Sequence, residues 1–263
     1  MKPPRTTGDP WGSLRRHTAA RIALGRAGGS LPTSELLKFS YDHAEARDAV
    51  HSELDMDRLQ AELGGLGLPI VKVSSRVSDR FTYLQKPDLG CELDDPGRRE
   101  LDRISKTNGD GIDIVLIVAD GLSALAAQAH AASVVGPLVA LLRNDKYHVG
   151  PLVLARFARV GLQDEIGHLL RARASLILLG ERPGLGTADS LGGYLVFNPR
   201  PGNSNAERNC VSNIRPAGLP PVMAADTLHY LVMESLRRQI SGVGLKDERD
   251  PTTKRMVEHV QSE

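Results

Sequence analysis

The spacing of apolar residues changes character once along the chain, near residue 111. Before that point it is mostly helical. Trp11, Leu14, Thr18 and Ile22 recur at helical spacing. Asp9 before Pro10 predicts an N-cap with proline in the first turn, and Gly28-Gly29 predicts the stop. A second helix starts at Thr33 and carries Leu36, Leu37, Tyr41, Ala44 and Val50. A third runs over residues 55–63, and residues 69–77 alternate through Val71, Val73, Ser75 and Val77 as a half-buried strand does.

Beyond residue 111 the pattern is strand–helix alternation. Residues 112–119 are nearly all aliphatic, which predicts a central strand buried on both faces. Residues 122–142 predict a long helix, broken near Gly136-Pro137. Residues 151–157 predict a strand. Residues 164–171 predict a helix with Asp164 and Glu165 at its positive end. Strands near 176–179 and 193–197 follow, and a helix over 221–240 closes the region. The expected architecture is α/β: a Rossmann-like, doubly wound, mainly parallel sheet over residues 107–245. A mostly helical region over 1–106 precedes it, and a polar tail over 246–263 follows it.

Bulk composition narrows the function classes. The 263 residues carry 33 basic and 32 acidic side chains, a net charge of +1, with 41% hydrophobic and 4% aromatic residues. Neither a nucleic acid nor an anionic membrane is expected as partner. No segment is expected to approach the roughly 18 apolar residues of a membrane span. The N-terminus lacks an apolar signal region, and Cys91 and Cys210 are isolated from each other, so a reduced, cytoplasmic compartment is expected. No Cys/His spacing suits a metal, so no metal ligand is assigned.

Ligands of parallel sheets bind beyond the carboxyl ends of strands, and three such ends are polar here. Ala119-Asp120-Gly121-Leu122-Ser123 reads as a helix cap or as a ligand contact. Gly180-Glu181-Arg182-Pro183-Gly184 reads as a turn with an ion pair, or as a site where Glu181 accepts from ligand amides. It is not a dinucleotide fingerprint, and it lacks the P-loop lysine. Residues 209–215 read as a self-bonded loop or as an amide-binding surface. A nucleophilic Cys210 would need a base, and His168 and His229 both fall within helical stretches. No catalytic residue is therefore assigned.

Together these segments resemble the small subunit family of ethanolamine ammonia-lyase. The resemblance shows in Asp9-Pro10-Trp11, Ser30-Leu31-Pro32-Thr33, His43-Ala44-Glu45-Ala46-Arg47-Asp48 and Val118-Ala119-Asp120-Gly121-Leu122-Ser123. It is strongest in Gly180-Glu181-Arg182-Pro183-Gly184-Leu185, Arg208-Asn209-Cys210, Ser212-Asn213-Ile214-Arg215-Pro216 and Ser241-Gly242-Val243-Gly244-Leu245. One departure is Cys91 after Pro87-Asp88-Leu89-Gly90, where the family often has arginine.

The resemblance implies a subunit of an adenosylcobalamin-dependent radical enzyme that converts ethanolamine to acetaldehyde and ammonia. It implies a substrate-binding large subunit as partner, six copies of each chain, and cobalamin at their junction. The family's cobalamin contacts fall on Val160, Glu181 and Cys210. The motif that accompanies a displaced cobalamin base, Asp-x-His-x-x-Gly, is absent, so no histidine is expected to ligate cobalt. Some relatives enter a bacterial microcompartment through a longer amphipathic N-terminus, and the proline-rich residues before Asp9 put that in doubt. The competing readings are an independent nucleotide-binding oxidoreductase and a non-catalytic interaction module.

Overall fold

The computed structural model describes residues 6–7, 9–108 and 111–249. Two short strands, β1 (Thr6–Thr7) and β2 (Arg26–Ala27), pair antiparallel. Between them lies a single 3₁₀ stretch, Gly12–His17, none of whose residues is buried. The helix expected from residue 9 is therefore largely absent. Asp9 accepts from the Trp11 amide at 2.9 Å, but the 3₁₀ stretch begins only after Trp11 and no side chain caps it. A short helix gains most of its stability by burying a face, and Trp11 and Leu14 stay exposed here. The segment is instead held by Arg21, which donates to Asp42 and to the Glu35 carbonyl of the following helix.

That helix is α1 (Thr33–His51), followed by α2 (Met56–Leu63), whose amide Arg58 N donates to the capping Asp55 carboxylate. Strand β3 (Ile70–Ser74) precedes α3 (Arg80–Gln85), a 3₁₀ turn at Pro87–Cys91, and α4 (Asp95–Asn108). The remaining elements are β4 (Ile114–Ala119), α5 (Ala124–Asn144), β5 (Val149–Arg156), α6 (Leu162–Leu169) and β6 (Ala174–Gly180). They are followed by β7 (Leu191–Phe197), β8 (Arg208–Ile214) and α7 (Pro221–Arg238).

The fold is α/β around one six-stranded sheet of order β3-β5-β4-β6-β7-β8. β3, β5, β4 and β6 are mutually parallel, while β7 and β8 run antiparallel to their neighbours. The sheet is thus mixed, and the expected mainly parallel winding holds for only part of it. The reason is local. The segment between β6 and β7 holds no helix, so the chain turns straight back beside β6 instead of crossing over. β3, from the region expected to be mostly helical, forms one edge of this same sheet.

Every residue of β4 is buried, as its unbroken aliphatic run requires. Two apolar layers cover the sheet. One gathers α5, α7 and residues of α2 against Leu116, Leu178 and Leu195. The other packs residues of α4 and α6 against Val115, Ile117 and Ile177. α5 is long and apolar enough, by length and composition alone, to cross a membrane, which corrects the expectation that no segment approaches this. Its apolarity has a packing explanation, since Val134, Val135, Leu138 and Val139 are buried on the sheet side. The same packing keeps α5 continuous through Pro137, where a break was expected. Burial on both sides of the proline outweighs the roughly 3 kcal/mol local cost.

The polar tail falls outside the described residues from position 250. Arg249, just before, is tied to Asp226 at 2.5 Å and to Asp247.

Candidate functional site

The parallel strands deliver the turns after β4, β5 and β6 to one end of the sheet. Asp120, the residue after β4, is buried and accepts from the amides of Phe157, Ala158 and Gly121 at 2.8, 3.0 and 2.9 Å. Burial pushes its carboxyl above the usual range, while these amides and Arg80, 3.8 Å away, work against that shift. Asp120 therefore neither caps α5 nor faces a ligand. It laces the exit of β4 to the exit of β5. Ser123 is the cap of α5, accepting from the Ala126 amide at 3.2 Å and donating to the Ala188 carbonyl.

The exits of β4 and β6 meet through two glycines. Gly121 has φ +58°, and a Cβ there would lie 2.3 Å from the Gly180 carbonyl oxygen. A Cβ on Gly180 would lie 1.9 Å from the Ser123 carbonyl oxygen. The Leu122 amide donates to the Gly180 carbonyl at 2.9 Å. Only glycine permits that approach.

A cleft of about 510 Å³ opens above these exits. Leu122, Val160, Leu179, Tyr83 and Tyr194 line its apolar part, and Arg159, Glu181, Arg182, Asn205, Arg208 and Cys210 its polar part. The three residues singled out from the sequence thus share one cavity. Val160 comes from the β5 exit, Glu181 from the β6 exit and Cys210 from β8.

Glu181 is half-buried and well anchored. Its Oε2 accepts from the Ser190 hydroxyl at 2.5 Å and from the Asn213 amide at 3.2 Å. Its Oε1 accepts no hydrogen bond from the described residues. One carboxylate oxygen thus fixes the side chain and the other is free to accept.

Cys210 lies directly opposite Tyr194 on the neighbouring strand. The residue is exposed, yet its thiol sits in the cleft, and desolvation there raises its pKa. The nearby Glu181 carboxylate raises it further, against the opposing effect of the Tyr194 hydroxyl. Such a thiol is a poor nucleophile at neutral pH. Neither His168 nor His229 lines the cleft; His229 bonds to Asp145 at 2.7 Å. Cys210 is therefore expected to be alkylated by iodoacetamide more slowly than free cysteine at pH 8. The deficit should shrink as pH rises and the thiol ionises, and a rate at or above that of free cysteine at pH 8 would contradict this geometry.

Most of residues 209–215, read from sequence as a loop or a ligand surface, falls in the edge strand β8 (Arg208–Ile214). Their polarity follows from edge position, with Val211 and Ile214 turned inward. Arg215 pairs with Asp189 at 3.4 Å and donates to the Gly186 carbonyl, so it pins the β6–β7 loop and does not line the cleft. Sequence reading missed Tyr83, Arg159, Tyr194 and Arg208. Tyr194 was foreshadowed by strand alternation, since it is one of two half-buried positions in otherwise buried β7. Tyr83 carried no signal, because α3 was not legible as a helix.

Asp164 and Arg208 form a bidentate pair at 2.6 and 2.7 Å, with both side chains only 5% exposed. The pair joins the first turn of α6, near Val160, to the start of β8, near Cys210. It thereby ties the helix that follows Val160 to the strand that carries Cys210.

The model of the ethanolamine ammonia-lyase light chain family matches residues 8–246. The chain belongs to that family. The small subunit of ethanolamine ammonia-lyase from Rhodopseudomonas palustris strain BisA53 is 53% identical over 235 residues, covering 89% of each chain. The one from Xanthomonas campestris pv. campestris is 49% identical, covering 94% of this chain and 90% of the relative. The one from Azotobacter vinelandii is 50% identical, covering 92% and 90%. The light-chain family match includes every residue that lines the cleft. By their names, the relatives are small subunits.

Proposed function

We propose that this chain is the small subunit of an adenosylcobalamin-dependent ethanolamine ammonia-lyase, and that its cleft holds one edge of the cobalamin against the large subunit. The observation that carries this reading is Glu181. It lines a cavity also lined by Val160 and Cys210, and its Oε1 accepts no hydrogen bond from the described residues. A corrin is a flat apolar ring edged with neutral amides, and the cleft offers matching chemistry. Leu122, Val160, Leu179 and Tyr194 can meet the ring edge, and Glu181 and Asn205 can meet the amides.

The roles divide by chemical type. Glu181 orients by accepting amide protons. Val160 excludes water by apolar contact. Cys210, with its thiol held protonated, packs rather than reacts. Adenosylcobalamin, when bound, supplies the radical chemistry that no side chain of this chain can perform. The chain's own part is to bind, orient and keep solvent away from the reacting centre, with the substrate held by the large subunit. Turnover is expected only in the assembled complex, for which we propose six copies of each chain in the cytoplasm.

The test is a titration of the co-purified complex with adenosylcobalamin, followed by its visible spectrum. Glu181→Ala should weaken binding about 10- to 100-fold, as expected for losing a hydrogen bond to a charged group. The complex should still assemble on gel filtration. Unchanged affinity would mean that Glu181 only braces Ser190 and Asn213, and the reading would be lost.

A further inference from the structure

We propose that Arg159 is the anion-recognising residue of the cleft and takes a phosphate oxygen of the ligand. The proposal rests on the cleft being a cobalamin site and adds the group that it reads there.

Arg159 is placed with little freedom. Its amide donates to the Gly90 carbonyl at 2.8 Å. Gly90 passes so close that a Cβ on it would lie 2.7 Å from the Arg159 Cγ. The guanidinium lies over the Tyr83 ring, 4.1 Å from its centre, and Nη2 donates to the Tyr83 carbonyl at 3.0 Å. Tyr83 is itself buried and donates its hydroxyl to the Ala158 carbonyl. The head group is thus held in one orientation before any ligand arrives.

Its charge, in contrast, is unmatched. Among the described residues no carboxylate pairs with Arg159, and its Nε is buried without a hydrogen-bond partner. Three acids around it are already engaged, and Glu181 across the cleft forms no ion pair with it among the described residues. Asp120 faces Arg80, which lies over the same Tyr83 ring at 4.6 Å. Asp164 is taken by Arg208, and Glu165 by Arg98. A partly buried cation without a counter-ion is unfavourable, and an arriving anion relieves that cost. A guanidinium also matches phosphate in shape, through its planar fork of donors. The rim amides of cobalamin are neutral, and its anionic group is the phosphodiester of the nucleotide loop. Glu181 and Arg159 therefore divide recognition, one for amides and one for phosphate.

Two corrinoids isolate the phosphate: cobinamide phosphate, which carries it, and cobinamide, which does not. Both are titrated into the co-purified complex in their cyano forms. The wild-type complex should prefer cobinamide phosphate by about 10- to 100-fold. Arg159→Gln, which keeps a donor near the Tyr83 carbonyl, should bring that preference close to unity. Arg159→Lys should keep part of it. A preference unchanged in Arg159→Gln, or an equal loss for both corrinoids, would overturn the proposal and make Arg159 a brace for Tyr83. Glu181→Ala should weaken both corrinoids equally and leave the preference intact. If the wild-type complex bound neither these corrinoids nor adenosylcobalamin, the cobalamin reading would fall and this proposal with it. If Glu181→Ala behaved as expected while Arg159→Gln kept the preference, only this proposal would fall.

Discussion

Asp120→Ala should lower the unfolding free energy by about 3–5 kcal/mol, the scale for removing one partner of a buried charged network. The carboxylate satisfies three backbone amides, and those of Phe157 and Ala158 belong to the turn beyond β5. Alanine leaves these donors buried without acceptors, at about 1–3 kcal/mol each. It also removes the counter-charge 3.8 Å from Arg80, whose guanidinium donates to the carbonyls of Val50, Gly121 and Leu122. At roughly 2–4 °C per kcal/mol for a chain of this size, the thermal midpoint should fall by about 6–20 °C. Asp120→Asn should recover part of the loss. Its one oxygen can still accept from Gly121 and Ala158, whereas its NH₂ faces the Phe157 amide. A chemical-denaturation curve placing Asp120→Ala within 1 kcal/mol of wild type would show that the exits of β4 and β5 hold together without it.

Arg208→Ala should cost a similar amount, about 3–5 kcal/mol near neutral pH, for a related reason. It strands the Asp164 carboxylate, which is 5% exposed and has no other ion-pair partner among the described residues. Burial already pushes Asp164 above the usual carboxylate range, and Arg208 is what opposes the push. Without Arg208 the folded-state pKa should rise further, well above the unfolded value. A carboxyl raised in this way leaves stability intact below the unfolded pKa and costs stability as pH rises through the folded one. The deficit of Arg208→Ala should therefore be large at pH 7.5 and smaller at pH 4.5. Asp164→Leu combined with Arg208→Met should restore most of the stability, because well-packed apolar pairs often replace buried ion pairs without loss. Equal deficits at both pH values would mean that Asp164 is not the source. On the cobalamin reading proposed above, the double variant should bind cobalamin less well than wild type, since it loses the bidentate link between α6 and β8.

The chain's rhythm announced much of this architecture. The aliphatic run of β4, the long apolar α5, the alternation through β3 and the helix over 55–63 all lie in local sequence, and each forms near its expected place. Failures came where local signals met a different environment. Residues 9–22 have helical spacing but no surface to bury it against, so only one 3₁₀ stretch forms. Pro137 should break a helix, but packing on both sides of it keeps α5 in one piece. β8 looks like a loop because an edge strand beside a solvent-facing cleft carries asparagines and serine where a central strand would carry valines.

The site divides in the same way. Polar residues after apolar strands marked the exits of β4 and β6 as candidate ligand ends, and the resemblance to the family singled out Val160, Glu181 and Cys210. Composition and spacing could not show which of these groups share a cavity. Asp120 and Glu181 look alike in sequence, each an acid just beyond an apolar strand beside a glycine. One is buried among three amides, and the other presents a free oxygen. That difference depends on which turns the sheet order places side by side. The local pattern of polar and apolar residues determines where strands begin and end, because that information is carried within a few residues. The pairing of Arg208 with Asp164 and the isolation of Arg159 were decided only by tertiary structure. They depend on distances between segments tens of residues apart, and those distances exist only once β5 lies beside β4 and the chain has doubled back through β7 to β8.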